Sequence, residues 1–162
     1  MRTIYRLRLK GTKLIDYMTT EEAKLLAMLI DTEGSICASR HYIHYRRNVY
    51  PHVYVEMRSE MPIVTAELWG GVLLKRLCKD GNYKYTWSLN DRKLLRAFLS
   101  KIKPYLQLTQ KQADLALQMC DILDAKPKGY RKLLERLRRE MSRLNHAPAP
   151  DIDITKLRGI IK

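Results

Sequence analysis

The stretch KLLAMLIDTEGSI, residues Lys24 to Ile36, runs as an apolar helix into two acids, Asp31 and Glu33, and then at once into Gly34. The C-terminal end of a helix carries partial negative charge, so a carboxylate there is repelled unless positive charge lies nearby. Residue types and spacing thus raise the question of which cation these acids face. The cysteines and histidines suggest no zinc centre: Cys37, Cys78 and Cys120 stand far apart with no CxxC, and the four histidines make no ligand spacing with them. The thiols read as free cysteines of a reducing compartment.

Charge narrows the partner. Lys and Arg number 31 against 17 acids, a net charge of +14 over 162 residues, which points to a polyanion, nucleic acid ahead of a membrane surface. With 46% hydrophobic residues the chain can bury the core of one ordinary domain. No apolar run approaches the ~18 residues of a membrane span. The basic N-terminus lacks an apolar segment resembling a secretory signal. The expectation is a soluble, intracellular protein with no membrane partner, in cytoplasm or organelle matrix.

The elements that must position the acids follow from periodicity and punctuation. Residues 1–19 alternate in TIYRLRLK and read as a short strand or a basic arm. Thr19 and Glu22 have the spacing of a capping box, followed by a helix from about Thr20 to Asp31. After Gly34 the period changes to two, through a basic tip, HYRRN, to a return strand with Val53, Val55 and Met57 inward and His52, Tyr54, Glu56 and Arg58 outward. Ser59 is expected to cap a second helix, with Pro62 in its first turn, Val64, Leu68 and Trp69 buried, and Gly70-Gly71 at its end. VLLKRLC and YKYTWSL, joined through Asp80-Gly81, form a second hairpin with Tyr83, Tyr85, Trp87 and Leu89 on the core side. Asn90 is expected to cap a third helix, Thr109 to open a fourth, and a fifth carries Arg131, Lys132, Arg136, Arg138, Arg139 and Arg143 opposite an apolar face. HAPAPD breaks helix and reads as a linker to a tail, so the domain is drawn at 20–145 with a tail at 146–162.

The order α-β-β-α-β-β-α, plus two helices, implies an α+β fold in which both hairpins join one antiparallel sheet with helices on one face. The other face then carries two polar, basic stripes, and a twisted antiparallel ribbon fits the DNA major groove, where base edges carry a distinguishable code.

At this point Leu26 to Gly34, LAMLIDTEG, resembles the signature of the LAGLIDADG homing endonucleases. The element order and the segment KPYLQLTQKQADL, Lys103 to Leu115, are similar to the single-motif members. The resemblance covers about residues 20–145 and implies an αββαββα fold with a curved DNA-binding sheet and additional C-terminal helices. It also implies a homodimer formed through Leu26, Ala27, Met28, Ile30 and Asp31. A two-fold dimer presents two reading sheets, hence a near-palindromic target in double-stranded DNA.

The implied activity is a site-specific double-strand cut that promotes homing of an intron or mobile element. Glu33 takes the place of the motif's last acid, and two such carboxylates brought together repel unless divalent cations lie between them. Carboxylate, carbonyl and phosphate oxygens suit Mg²⁺, or Mn²⁺, which activates water and stabilises the leaving oxygen. By the family's pattern the Thr32 carbonyl is a further metal ligand, Ser59 stands near the place of a water-positioning polar residue, and Lys111 replaces a lysine whose usual position holds Thr109. Asp31 is expected to be structural. Met28 replaces a small glycine of the motif. Candidate DNA contacts are Ser39, His41, Arg46, Arg47, His52, Tyr54, Glu56, Arg58, Arg76, Lys84, Thr86 and Ser88. Competing readings are an intron-splicing maturase, which would bind RNA, a non-cleaving DNA binder of the same fold, and a ribosomal-type RNA-binding protein. His-Asn-His and GIY…YIG nuclease patterns are not found.

Overall fold

A computed structural model describes residues 2–43 and 46–147, and the side chains of residues 42, 43, 46 and 47 fall outside that description. Among the described residues five strands and five main helices follow in the order β1 Arg2–Leu9, α1 Thr20–Glu33, β2 Gly34–Ile43, β3 Arg46–Met57, α2 Met61–Trp69, β4 Gly71–Leu77, β5 Tyr83–Leu89, α3 Arg92–Ile102, α4 Gln110–Ala125 and α5 Tyr130–His146. The strands form one antiparallel sheet in the order β1-β4-β5-β3-β2. This is the α+β architecture expected, with both hairpins in one sheet. The N-terminal segment is not an arm apart from the domain. It pairs with β4 from Arg2 opposite Leu77 to Leu9 opposite Gly71 and forms one sheet edge.

The helices cover one face because inward strand positions are apolar. Ile36, Val53, Val55, Trp87 and Leu89 are fully buried against Ile30, Leu95, Phe98, Leu99, Ile102, Met119, Leu134 and Met141. Trp87 meets Phe98 edge-on at 5.5 Å between ring centroids, a favoured aromatic geometry, and its indole N–H donates to the Gly70 carbonyl at 2.7 Å.

Side-chain caps set the starts of α1 and α3 and correct some expectations. Thr19 and Glu22 form the capping box: the Thr19 hydroxyl accepts from the Glu22 N–H at 3.2 Å, and the Glu22 carboxylate from the Thr19 N–H at 3.0 Å. Helix α1 continues two residues past Asp31 because the Gly34 N–H still donates to the Ile30 carbonyl. Asp91 rather than Asn90 caps α3, its carboxylate accepting from Lys93 N and Leu94 N, each at 3.1 Å. Ser59 does not cap α2, which starts after Glu60 without a side-chain cap. Pro62, Thr65, Ala66 and Trp69 form its buried side, while Val64 is exposed, as is Tyr83 on β5.

Helix α5 braces the other sheet edge. Asn145 donates to the Ile36 carbonyl of β2 at 3.0 Å and is held in turn by Gln112 of α4. Glu135 of α5 pairs with Arg40 of β2 and with Arg138 at 2.9 Å. These guanidiniums, Arg40 foremost, hold the Glu135 carboxyl down to about 2. The tail expected over 146–162 begins later, since His146 ends α5, and residues 148–162 lie outside the described residues.

Candidate acidic site and nucleic-acid interface

Asp31 and Glu33 both leave the last turn of α1, yet they meet different surroundings. The Asp31 carboxylate accepts from Gln107 N at 2.6 Å, Thr109 N at 2.9 Å and the Thr109 hydroxyl at 2.7 Å. Thr109 precedes the first turn of α4 and makes no side-chain cap of its own. Asp31 therefore serves that helix start from another element, and the positive end of α4 offsets the repulsion from the end of α1. Glu33 is exposed and has no hydrogen-bond or ion-pair partner among the described residues.

The turn that follows is set by close packing. A Cβ at Gly34 would meet the Ile30 Cα at 2.9 Å and the Tyr54 carbonyl oxygen at 3.0 Å, so only glycine lets α1 pass this tightly into β2. The Thr32 hydroxyl donates to the Met28 carbonyl at 2.9 Å, within its own helix.

The expected interface residues divide by helix face. Leu26, Ala27 and Ile30 are buried in the chain's own core and present no surface to a partner, because they are the side of α1 that lies on the sheet. The outward stripe is Leu25 and Met28, 62% and 59% exposed, followed one turn later by Thr32. Beside it runs an apolar groove of about 340 Å³ between α1 and α2 that reaches Met61, Val64 and Glu33. Val64 was expected in the core because apolar residues at helical spacing read as buried, and Leu25 has the same spacing signal.

On the open sheet face, Ser39, His41, His52 and Tyr54 of the first hairpin and Arg76, Thr86 and Ser88 of the second line one cleft of about 780 Å³ with Glu56. Tyr50, Leu74 and Asn90 also line it. Tyr50 follows the alternation of His52 and Tyr54 and was legible from it. Leu74 was passed over as apolar and Asn90 as a helix cap. Glu56 accepts from Thr86 Oγ1 at 2.9 Å and Arg76 Nη1 at 3.2 Å, and pairs with Lys84 Nζ at 2.6 Å. Partial burial raises its pKa, but the hydrogen bonds and charges of Lys84, Thr86 and Arg76 outweigh that and hold the carboxyl below its ordinary range. His52 moves down, chiefly from burial, and is therefore neutral near pH 7, with one donor and one acceptor nitrogen.

Other expected residues lie elsewhere. Strand β3 ends at Met57, so Arg58 is off the stripe and pairs with Asp80 of the β4–β5 turn at 2.7 Å. Ser59 is exposed beyond the strand end, its hydroxyl 3.7 Å from the Met57 sulfur. Lys111 is exposed in the first turn of α4, the turn Asp31 fixes against α1. Arg46 and Arg47 begin β3, opposite Ile43 and Tyr42, and their side chains lie outside the described residues. Among the described residues no helix is long and apolar enough to cross a membrane.

No family model matches the sequence, nor does any curated protein. Solved structures do. The chain is similar to the homing endonuclease I-CvuI in complex with its target, with TM-score 0.68 and 20% identity over 86% of this chain and 92% of that one. It is also similar to the archaeal intron-encoded homing endonuclease I-Vdi141I complexed with DNA, with TM-score 0.67 and 16% identity over 87% and 94% of the two chains. Against the LAGLIDADG homing endonuclease I-GzeII in complex with its DNA target the TM-score is 0.54 at 13% identity, over 85% of this chain and 48% of that one. One helix bearing LAMLIDTEG, two hairpins in one sheet and near-complete mutual coverage of I-CvuI together identify the single-motif LAGLIDADG homing-endonuclease fold.

Proposed function

We propose that this chain is one subunit of a homodimeric, divalent-metal-dependent endonuclease that makes a site-specific double-strand cut in a long, near-palindromic DNA target, in the service of an intron or other mobile element. The observation that carries this reading is the contrast at the end of α1: Asp31 is fully engaged in structure, while Glu33, two residues on, is exposed at the end of the apolar α1–α2 groove with no partner among the described residues. A protein that only binds DNA gains nothing from an exposed carboxylate next to phosphates, which it would repel.

The residues present fit a hard divalent cation such as Mg²⁺ or Mn²⁺. Glu33 offers carboxylate oxygens and Thr32 a backbone carbonyl, at a helix end whose partial negative charge attracts a cation. Among the described residues of one chain no three His, Cys, Asp or Glu side chains converge as a metal site; in the proposed dimer Glu33 of a second copy and the DNA phosphate would complete the ligand set. The bound metal would supply charge neutralisation and an acidified water at the scissile phosphate.

The chain's residues do the rest. Leu25 and Met28 seat one copy of α1 on the other and bring the two Glu33 carboxylates together. Asp31 keeps the first turn of α4 in register with α1, so that the Lys111 ammonium stands where charge develops on phosphate. Ser59 orders water near the end of β3. The sheet cleft supplies base contacts, and Arg46 and Arg47 at the hairpin tip supply phosphate contacts.

The test is incubation of the purified protein and Mg²⁺ with a randomised plasmid library, followed by sequencing of the ends of linear products. Recurrent ends at one two-fold-related site support the reading. Absence of linear product from a library that contains intron-lacking insertion sites overturns it.

A further inference from the structure

The polar cluster around Glu56 does more than decorate the sheet face. Glu56 of β3 stands opposite Thr86 of β5, and Arg76 of β4 stands opposite Lys84 of β5, so three side chains from β4 and β5 converge on one carboxylate of β3 across three adjacent strands. Three neighbouring strands span about 10 Å, close to the ~12 Å width of a DNA major groove. Arg76 and Thr86 both donate to Oε2, whereas Oε1 receives only Lys84 among the described contacts and keeps acceptor capacity, and Glu56 lines the open cleft.

We infer that Glu56 is a specificity-determining residue that selects a C·G base pair at one position of each half-site, with Arg76 or Lys84 donating to guanine and the Glu56 carboxylate accepting from the cytosine amino group. This rests on the DNA-binding reading above. In the major groove guanine presents two adjacent acceptors and cytosine one donor, which matches a cation fork beside a carboxylate. An A·T pair offers the fork one acceptor on adenine and sets a methyl group against the charges. A pair with no donor facing Oε1 leaves a desolvated carboxylate against base acceptors, so Glu56 discriminates chiefly by what it rejects. The same carboxylate restrains Arg76 and Lys84, which would otherwise be mobile cations able to grip any phosphate.

The experiment is selection of bound duplexes from a randomised double-stranded DNA library with the full chain, Glu56→Gln and Thr86→Val. The wild type is expected to enrich C·G at one position per half-site by about tenfold over other pairs. Glu56→Gln should flatten that position or turn it toward A·T, because glutamine reads adenine, while the rest of the profile persists and capture of unselected DNA rises. Thr86→Val, which removes only the hydroxyl on Oε2, should weaken the same position by a few fold. A Glu56→Gln profile that superimposes on the wild type, or one that changes equally at every position, overturns the inference and leaves the endonuclease reading intact. A wild-type protein that enriches no duplex overturns both.

Discussion

The two sides of the last turn of α1 make the most instructive comparison in this molecule. On one side Asp31 accepts three hydrogen bonds from the loop before α4 and the Thr109 hydroxyl. On the other, Glu33 is exposed without a partner among the described residues. Two carboxylates two residues apart on a single helix end thus differ in kind: the first ties elements together, and the second, which the proposed function assigns to a metal ion, makes no hydrogen bond or ion pair within the described residues. An acid at the negative end of a helix costs stability unless compensated. Asp31 is compensated within the chain, and Glu33 is the acid for which the proposed function requires compensation from outside it.

Substitutions separate the two duties, and the largest effect is expected at Glu33. Glu33→Gln should lower cleavage about a thousandfold or more while binding and melting temperature stay near wild type. A plasmid cleavage assay beside a DNA-binding titration checks this, and equal loss of both would merge the two sides of the comparison. Next comes the outward stripe: Leu25→Lys with Met28→Lys should convert a dimer to monomers and remove double-strand cutting with little change in the fold, read by sedimentation and circular dichroism. These positions are exposed in the monomer, so their charge clashes only across an interface.

Asp31→Asn should behave unlike Glu33→Gln. It weakens three bonds to the start of α4 and should lower unfolding free energy by about 2 kcal/mol, with binding and cleavage falling together. Denaturant titration measures it. The smallest effect concerns Glu135, remote from both acids. Its folded pKa of about 2 lies below the unfolded 4.5, so its contribution is present above pH 4.5 and is lost as pH falls from there through about 2. Glu135→Gln should cost about 1 kcal/mol at neutral pH and flatten that part of the stability curve, without altering cleavage chemistry.

Much of this architecture was legible because local signals agreed. The Thr19–Glu22 box, the change of period at Gly34 and the Asp80-Gly81 turn each fix an element boundary through a short-range cause, and the structure follows them. Failures arose where a choice between neighbours depends on tertiary geometry. Asn90 and Asp91 are both good caps, and only the path of β5 into α3 selects Asp91. Leu26, Ala27 and Ile30 against Leu25 and Met28 is likewise a question of which helix face meets the sheet, and the unbroken apolar run from Leu25 to Ile30 does not encode its own rotation. Arg58 fell off the expected stripe because the strand stops one residue before it. Glu56, Arg76, Lys84 and Thr86 were all legible as outward polar positions, but their convergence on one carboxylate lay beyond sequence reading, since they come from three strands whose register only pairing defines.

The measurement that bears most directly on the central claim uses mixed dimers on an isolated target site. One subunit carries wild-type Glu33 and the other Glu33→Gln, purified through two different tags. If the two carboxylates act together at shared cations, the mixed dimer makes no double-strand break at an appreciable rate although it binds the site normally. Double-strand cutting by the mixed dimer at the wild-type rate would contradict the account.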